Sequence, residues 1–254
     1  MYSLIRPLLF CLDAESSHNL VMGVLGLASK SPLACRATGL LNGARKRFQP
    51  VSAMGINFPN PVGLSAGLDN QGTACNALHQ LGFGFLELGT VTPQPQPGNP
   101  KPRMFRLVDD EAIINRMGFN SVGLAQFTAN VSRTLPGIIK GINIGKNAAT
   151  PMNRAVEDYL EGLRGVYDYA DYVAINISSP NTRNLRDLQQ DESLDNLLEA
   201  LNRQRNLLAD SSGIRKPLAV KIAPDLDPGQ INNIAALARK HAIDGIIATN
   251  TTIS

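Results

Sequence analysis

DYVAINISSPNT, residues 171–182, begins as a strand hiding from water and ends as something else. Tyr172, Val173, Ala174 and Ile175 form a short apolar run that includes two β-branched residues, the composition of a strand buried on both faces of a parallel sheet. Asn176, Ser178, Ser179, Asn181 and Thr182 follow with amides and hydroxyls but no charge, and Pro180 stiffens the loop. With a side-chain period of two, Asn176 and Ser178 share one face and Ser179 begins the turn. A buried strand that turns polar only at its C-terminal end predicts a pocket at that end.

The same ending recurs along the chain. Short apolar runs read as strands at NPVGLSAG (60–67), FGFLELGTVT (83–92), GIIKGINIG (137–145), KPLAVKIAP (216–224) and DGIIATNT (244–251), alternating with helical patterns at 71–81, 121–134, 152–169, 191–210 and 228–241. That rhythm predicts βα units around a parallel sheet. Asp191 and Asp227 are candidate helix caps, the latter before Pro228. Each strand ends polar or Gly-rich: Ala66 to Asn70, Thr90, Asn143 with Lys146, Asn176 to Asn181, Lys221, and Thr249 to Thr251. In a TIM (β/α)8-type barrel such ends converge on one face, where the site is built. A doubly wound sheet would carry a GxGxxG fingerprint, and neither that nor a P-loop is present. Six βα units fit where a closed barrel needs eight, so the expectation is an incomplete barrel and a truncated chain. The proline-rich PQPQPGNPKP (93–102) cannot be helix or central strand, and MFRLVDDEAIIN (104–115) reads as two short strands around a polar turn.

Composition bounds the rest. The chain has 254 residues, 43% hydrophobic and 18% charged, enough for a sizeable core. Net charge is +3, from 24 Lys+Arg against 21 Asp+Glu scattered without basic tracts, which speaks against nucleic acid. Cys11, Cys35 and Cys75 lie far apart and read as free thiols in a reducing compartment. His18, His79 and His241 are equally scattered, so no metal site is expected. At the N-terminus, Leu4, Leu8 and Leu12, then Leu20, Val24 and Leu27, recur at helical spacing and predict two amphipathic helices broken near Asp13. Residues 1–45 are read as this helical extension and 46–254 as the barrel. The extension either docks on its own domain or rests on a membrane surface. No run nears the roughly 20 apolar residues of a membrane span, and no clear leader-cleavage site is present.

The strand ends suggest their own chemistry. Asn115, Asn143, Asn176, Asn181 and Asn250 each offer a donor and an acceptor, and together they suit a flat ligand edged with N–H and C=O groups, such as a pyrimidine or a flavin ring. The bland alternative, that each merely caps a turn, weakens when all gather at one end of the strands. Lys221, inside apolar AVKIAP, admits two readings: a Schiff-base lysine of an aldolase-like barrel, or a fixed charge beside a cofactor that becomes anionic on reduction.

AGLDN (66–70), ELGTVTPQPQPGNPKPR (87–103), NRMGFN (115–120), GINIGKN (141–147), NISSPNT (176–182), VKIAPDL (220–226) and IATNTT (247–252) together resemble the dihydroorotate dehydrogenase family, in order along the whole chain. The helical extension, and serine instead of cysteine in SSPNT, resemble its quinone-dependent, membrane-associated class. The resemblance implies FMN at the barrel mouth, dihydroorotate oxidised to orotate, a membrane quinone as final acceptor, and a place in pyrimidine (UMP) biosynthesis. It implies Ser179 as the base, with Thr182 a candidate relay. Substrate contacts fall on Asn70, Asn115, Arg116, Met117, Gly118, Phe119, Asn176, Asn181, Asn250 and Thr251. Flavin contacts fall on Ala66, Gly67, Leu68, Asp69, Asn70, Thr90, Asn143, Asn176, Lys221 and Thr249, and loop 180–190 would be a lid. It implies a peripheral protein on the cytoplasmic face of a bacterial inner membrane, or a mitochondrial inner membrane. Asn70 departs from the family's AGLDK pattern, where a lysine meets substrate and flavin. The competing expectations are an inactive truncated fragment and the aldolase-like barrel.

Overall fold

The computed structural model describes residues 2–41 and 49–253. The predicted boundary at 45/46 therefore lies outside the described residues. In chain order the elements are α1 (Tyr2–Phe10), α2 (Ala14–Ala28), α3 (Pro32–Leu41), β1 (Val51–Ala53), β2 (Ile56–Phe58), β3 (Gly63–Leu64), α4 (Cys75–Gln80), β4 (Phe85–Val91), β5 (Met104–Leu107), β6 (Ala112–Asn115), α5 (Gly123–Val131), β7 (Lys140–Ile144), α6 (Ala155–Val166), β8 (Tyr172–Asn176), α7 (Asp191–Ser212), β9 (Leu218–Ile222), α8 (Pro228–Lys240) and β10 (Gly245–Ala248).

Six strands form one sheet in the order β3, β4, β7, β8, β9, β10, every neighbouring pair parallel. Helices fill the crossovers, as the alternating pattern predicts. The sheet curls. β4 and β8 stand two strand spacings apart, roughly 9–10 Å if flat, yet Asn176 Nδ2 on β8 lies 3.0 Å from Thr90 Oγ1 on β4. The result is an open run of barrel strands whose concave face gathers interior side chains. β8 is buried along its whole length, and the core packs on the convex face. Along α7, Leu194, Leu197, Leu198 and Leu201 are buried at helical spacing, each stabilising by roughly 1.5–3 kcal/mol. That helix stops at Gly213, whose φ of +71° suits a residue without a Cβ.

Differences from expectation are local. The first strand shrinks from 60–67 to Gly63–Leu64, because Ser65 to Gln71 turn through the positive φ of Gly67 toward α4. Asp227 caps α8 in a reciprocal pair with Gln230 at 3.0 Å, whereas the cap position of α7 is Gln190 and not Asp191. α1 and α2 break at Asp13, whose carboxylate accepts from Ser16 N at 3.0 Å. A third helix, α3, follows that periodicity did not predict, and the β1–β2 hairpin was equally unmarked. That hairpin places Phe58 with Tyr172 and Phe85 as a second apolar cluster.

Candidate functional site

The concave face is a continuous polar column. At its base Tyr172 donates to Glu87 Oε2 at 3.0 Å, and Asn143 Nδ2 donates to Glu87 Oε1 at 2.9 Å. Tyr172 stays a donor because burial, with the Glu87 charge, pushes its pKa far up. Thr90 Oγ1 donates to Asn143 Oδ1 at 2.6 Å, and Asn176 Nδ2 reaches both Thr90 Oγ1 and Asn143 Oδ1. At the mouth, Asn176 Oδ1 accepts from Ser178 Oγ at 3.2 Å and from Asn250 Nδ2 at 3.4 Å, while Asn250 Nδ2 also donates to Ser178 Oγ at 3.1 Å. Side chains from β4, β7, β8 and the end of β10 thus meet, as the strand-end pattern predicts. Asn143 and Asn176 are fully buried.

Lys221 sits beside Asn176 in register, only 7% exposed, with neither hydrogen bond nor ion pair among the described residues. A nearly buried ammonium lacking a counter-charge is a binding element in search of an anion or an electron-rich ring. Buried Lys146, by contrast, is spent on the carbonyls of Asn147 and Thr150, and burial pulls its pKa down.

Ser179 is buried beside this column, its Oγ accepting from Asn181 N at 3.3 Å. Thr182 Oγ1 is buried without a hydrogen-bond partner among the described residues. Asn181 Nδ2 donates to Asn115 Oδ1 at 3.2 Å, joining the loop after β8 to the end of β6. The remaining predicted residues divide. Ala66 to Asp69 are latched to β4 through Gly67 N to Gly89 O (2.8 Å) and Gly89 N to Asp69 O (3.0 Å), so their backbone flanks Thr90. The Asp69 side chain instead accepts from Thr73 N and Ala74 N ahead of α4, and burial raises its pKa. Asn70 donates to Asn120 O at 2.9 Å. Arg116 is exposed with its guanidinium on Pro102 O, whereas Gly118 is buried and Phe119 half-buried. Thr249 and Thr251 are exposed beside Asn250.

Sequence reasoning missed Glu87, Tyr172 and Ser178 as members of the column. Ser178 was legible from its shared face with Asn176, but the other two depend on register across strands. A cavity of about 710 Å³ lies behind the mouth, bounded by α2 and by the loops after β3 and β6, with His18, Met22, Leu27, Leu68, Asn70 and Met117 in its wall. Burial lowers the pKa of His18 there. Among the described residues no cluster of three metal-ligating side chains occurs, and no helix is long and apolar enough to cross a membrane.

The chain is similar to known proteins in sequence and in fold. The family model described as dihydroorotate dehydrogenase matches residues 50–254. The chain is 55% identical over 253 residues to a dihydroorotate dehydrogenase (quinone) of Nitrosomonas eutropha, covering 100% of this chain and 72% of that one. It is 56% identical over 254 residues to the Chromobacterium violaceum protein of the same name, again covering 100% and 72%. Among solved structures, a DHODH from Eimeria tenella in complex with ferulenol superposes with a TM-score of 0.81 at 38% identity, covering 95% of this chain and 68% of that one. The ligand-free type from the same organism gives 0.76 at 39% identity, covering 90% and 69%. Polar strand ends on a curled parallel sheet and a family match from residue 50 onward lead to one conclusion: the chain belongs to the dihydroorotate dehydrogenase family, oxidoreductase enzymes.

Proposed function

We propose that this chain carries the catalytic face of a quinone-dependent dihydroorotate dehydrogenase, a flavoprotein that oxidises dihydroorotate to orotate with FMN as its cofactor, in pyrimidine (UMP) synthesis. The observation that carries the reading is Lys221, a nearly buried cation without a partner among the described residues, beside the neutral side chains of Thr90, Asn143 and Asn176. That donor set fits a flavin ring: amides and a hydroxyl for its polar edge, and a positive charge for the anionic reduced form. The backbone of Ala66 to Asp69, with Thr249, would complete its binding, leaving Asn70, Asn115 to Phe119, Asn181, Asn250 and Thr251 for the substrate.

When bound, the flavin supplies a hydride acceptor for C6 of the substrate and an electron donor for a quinone. The protein's own task is the proton at C5. Ser179 is the base of this reading, and it is buried, so a substrate placed against it would meet little water. A neutral hydroxyl is a weak base, so its proton must leave as it accepts another, and Thr182, a buried hydroxyl of the same loop without a partner among the described residues, would relay that proton on to solvent. An ion-paired lysine would be of no use to a reduced flavin, which is why the lack of a partner at Lys221 matters more than its burial.

Residues 1–45 would form the quinone and membrane module and 46–254 the catalytic one. The cavity beneath α2 would admit the quinone, and exposed Leu4, Leu8, Leu27, Leu33 and Leu40 suit a peripheral contact with a membrane, the cytoplasmic face of a bacterial inner membrane in this reading. The aldolase-like alternative is not retained, because the family match leads to an oxidoreductase. The test is anaerobic absorbance of the chain loaded with FMN: bleaching on addition of dihydroorotate is expected. Flavin retained without bleaching would sink the substrate assignment, and no flavin retained would sink the cofactor assignment.

A further inference from the structure

The proline-rich segment 93–102 was legible only as a loop, yet it runs alongside the Asn115–Ser121 segment and holds it. Gln96 N donates to Ser121 O and Ser121 N to Gln96 O, both at 2.9 Å, and Asn99 N donates to Met117 O at 3.0 Å. The Gln96 side chain is fully engaged. Its Nε2 donates to Phe119 O at 2.8 Å and to Gly118 O at 3.3 Å. Its Oε1 accepts from Asn147 Nδ2 and from Ala148 N, both at 2.9 Å. A single amide thereby ties the Gly118–Phe119 turn to the loop after β7.

That turn needs holding. Gly118 has a φ of +71° and Phe119 a φ of +52°, the second a strained conformation for a non-glycine residue that persists only where its surroundings enforce it. The turn also reaches the column. A Cβ added at Gly145 would lie 2.7 Å from the Thr90 methyl and 2.9 Å from the Phe119 ring, so ring and methyl share one wall of the mouth. If Gln96 lets go, the carbonyls of Gly118 and Phe119 lose their donor and the Phe119 ring loses its fixed place.

The geometry points to Gln96 as a positioning residue that clamps the Gly118–Phe119 turn in substrate-binding shape, acting on the substrate side of the site and not on the cofactor side. This rests on the functional reading above, which assigns residues 115–119 to substrate.

The test is Gln96→Glu, which keeps size and the two bonds accepted from Asn147 and Ala148 but replaces the donor to both turn carbonyls by an oxygen that repels them. Gln96→Met is the uncharged control, which removes the donor without adding charge and also removes the acceptor of Asn147 and Ala148. Two readouts are taken: orotate and FMN dissociation constants by titration, and hydrogen exchange at the Arg116 and Ser121 amides in the flavin-free chain. Orotate binding weakened tenfold or more in both variants, with FMN affinity within about threefold and faster exchange at residues 115–121, joined in Gln96→Met by the Ala148 amide that loses its acceptor, is the expected result. Unchanged orotate affinity in the folded variants, or orotate and FMN weakened together, would overturn it. Exchange unchanged at Arg116 and Ser121 in both variants would overturn the clamp itself. If the unsubstituted chain takes up neither ligand while the variants still speed exchange locally, the functional reading has failed and the clamp has not.

Discussion

Ser179 and Asn70 are the two residues whose substitution speaks most directly to the chemistry. Ser179→Ala is expected to slow flavin reduction by dihydroorotate by roughly 10²–10⁴-fold, the usual worth of a positioned general base, with FMN affinity unchanged. Stopped-flow absorbance measures the rate, and a loss under tenfold would move the base elsewhere. Asn70 is different, because its amide is engaged with Asn120 O and serves the same segment that Gln96 clamps. Asn70→Lys adds a cation at the mouth and should tighten orotate binding by about 1.5–3 kcal/mol, the value of a hydrogen bond to a charged group. Titration with orotate checks it; weaker binding would mean that the Asn120 strut matters more than the charge. At this scale the site was legible wherever a side chain follows from strand period alone, as for Asn143, Asn176 and Lys221. Glu87, Tyr172 and Gln96 were hidden, because their partners lie on other strands or in another loop, and pairing across 85 or 51 residues leaves no local mark.

α2 shows how an element is held by one buried pair. Arg103 donates to Glu15 from Nε at 3.2 Å and from Nη2 at 2.8 Å, the two side chains only 7% and 9% exposed, while Arg106 donates to Leu12 O at 2.7 Å and Ser17 Oγ at 2.8 Å. Hydrogen bonding from Arg103 holds the Glu15 carboxyl below its ordinary value of 4.5. A depressed folded pKa means stability that is complete above that ordinary value and is lost as the pH falls through the lower folded one. Glu15→Gln is therefore expected to lower the thermal midpoint at neutral pH, by a gap that holds down to the ordinary glutamate value and closes below it. Circular dichroism melts across pH check this, and a gap independent of pH would show that packing, not charge, is lost. Asp227→Ala should cost about 1 kcal/mol through the α8 cap, read from the same melts. The helices between strands were legible from 3.6-residue periodicity, and α8 also from its Asp227 cap. α3 was not, since PLACRATGLL mixes small and polar residues and takes its helical form beside α4, where an added Cβ at Gly39 would stand 3.1 Å from Gln80 O.

For the molecule as a whole, the two faces of the curled sheet divide the work: an apolar convex face packs helices, and a polar concave face runs from Tyr172 up to Asn250. The N-terminal helices stand outside that division, because α1 and α2 leave Leu4, Leu8 and Leu27 at 78%, 71% and 68% exposed while Met22 and Leu25 pack on the core. A helical pair half committed to the protein and half bare suits an interfacial anchor better than a buried module. Burying a leucine is worth roughly 1.5–3 kcal/mol, so Leu4→Glu with Leu8→Glu should weaken binding to phospholipid vesicles more than tenfold. Neither side chain touches the column, so FMN reduction by dihydroorotate should be unaltered, whereas reoxidation by a quinone dissolved in the vesicles should slow in step with binding. Vesicle flotation and anaerobic reoxidation measure the two halves separately. Undiminished flotation would show that these helices are not the membrane contact, and lost flotation with undiminished quinone turnover would separate the anchor from the cavity beneath α2.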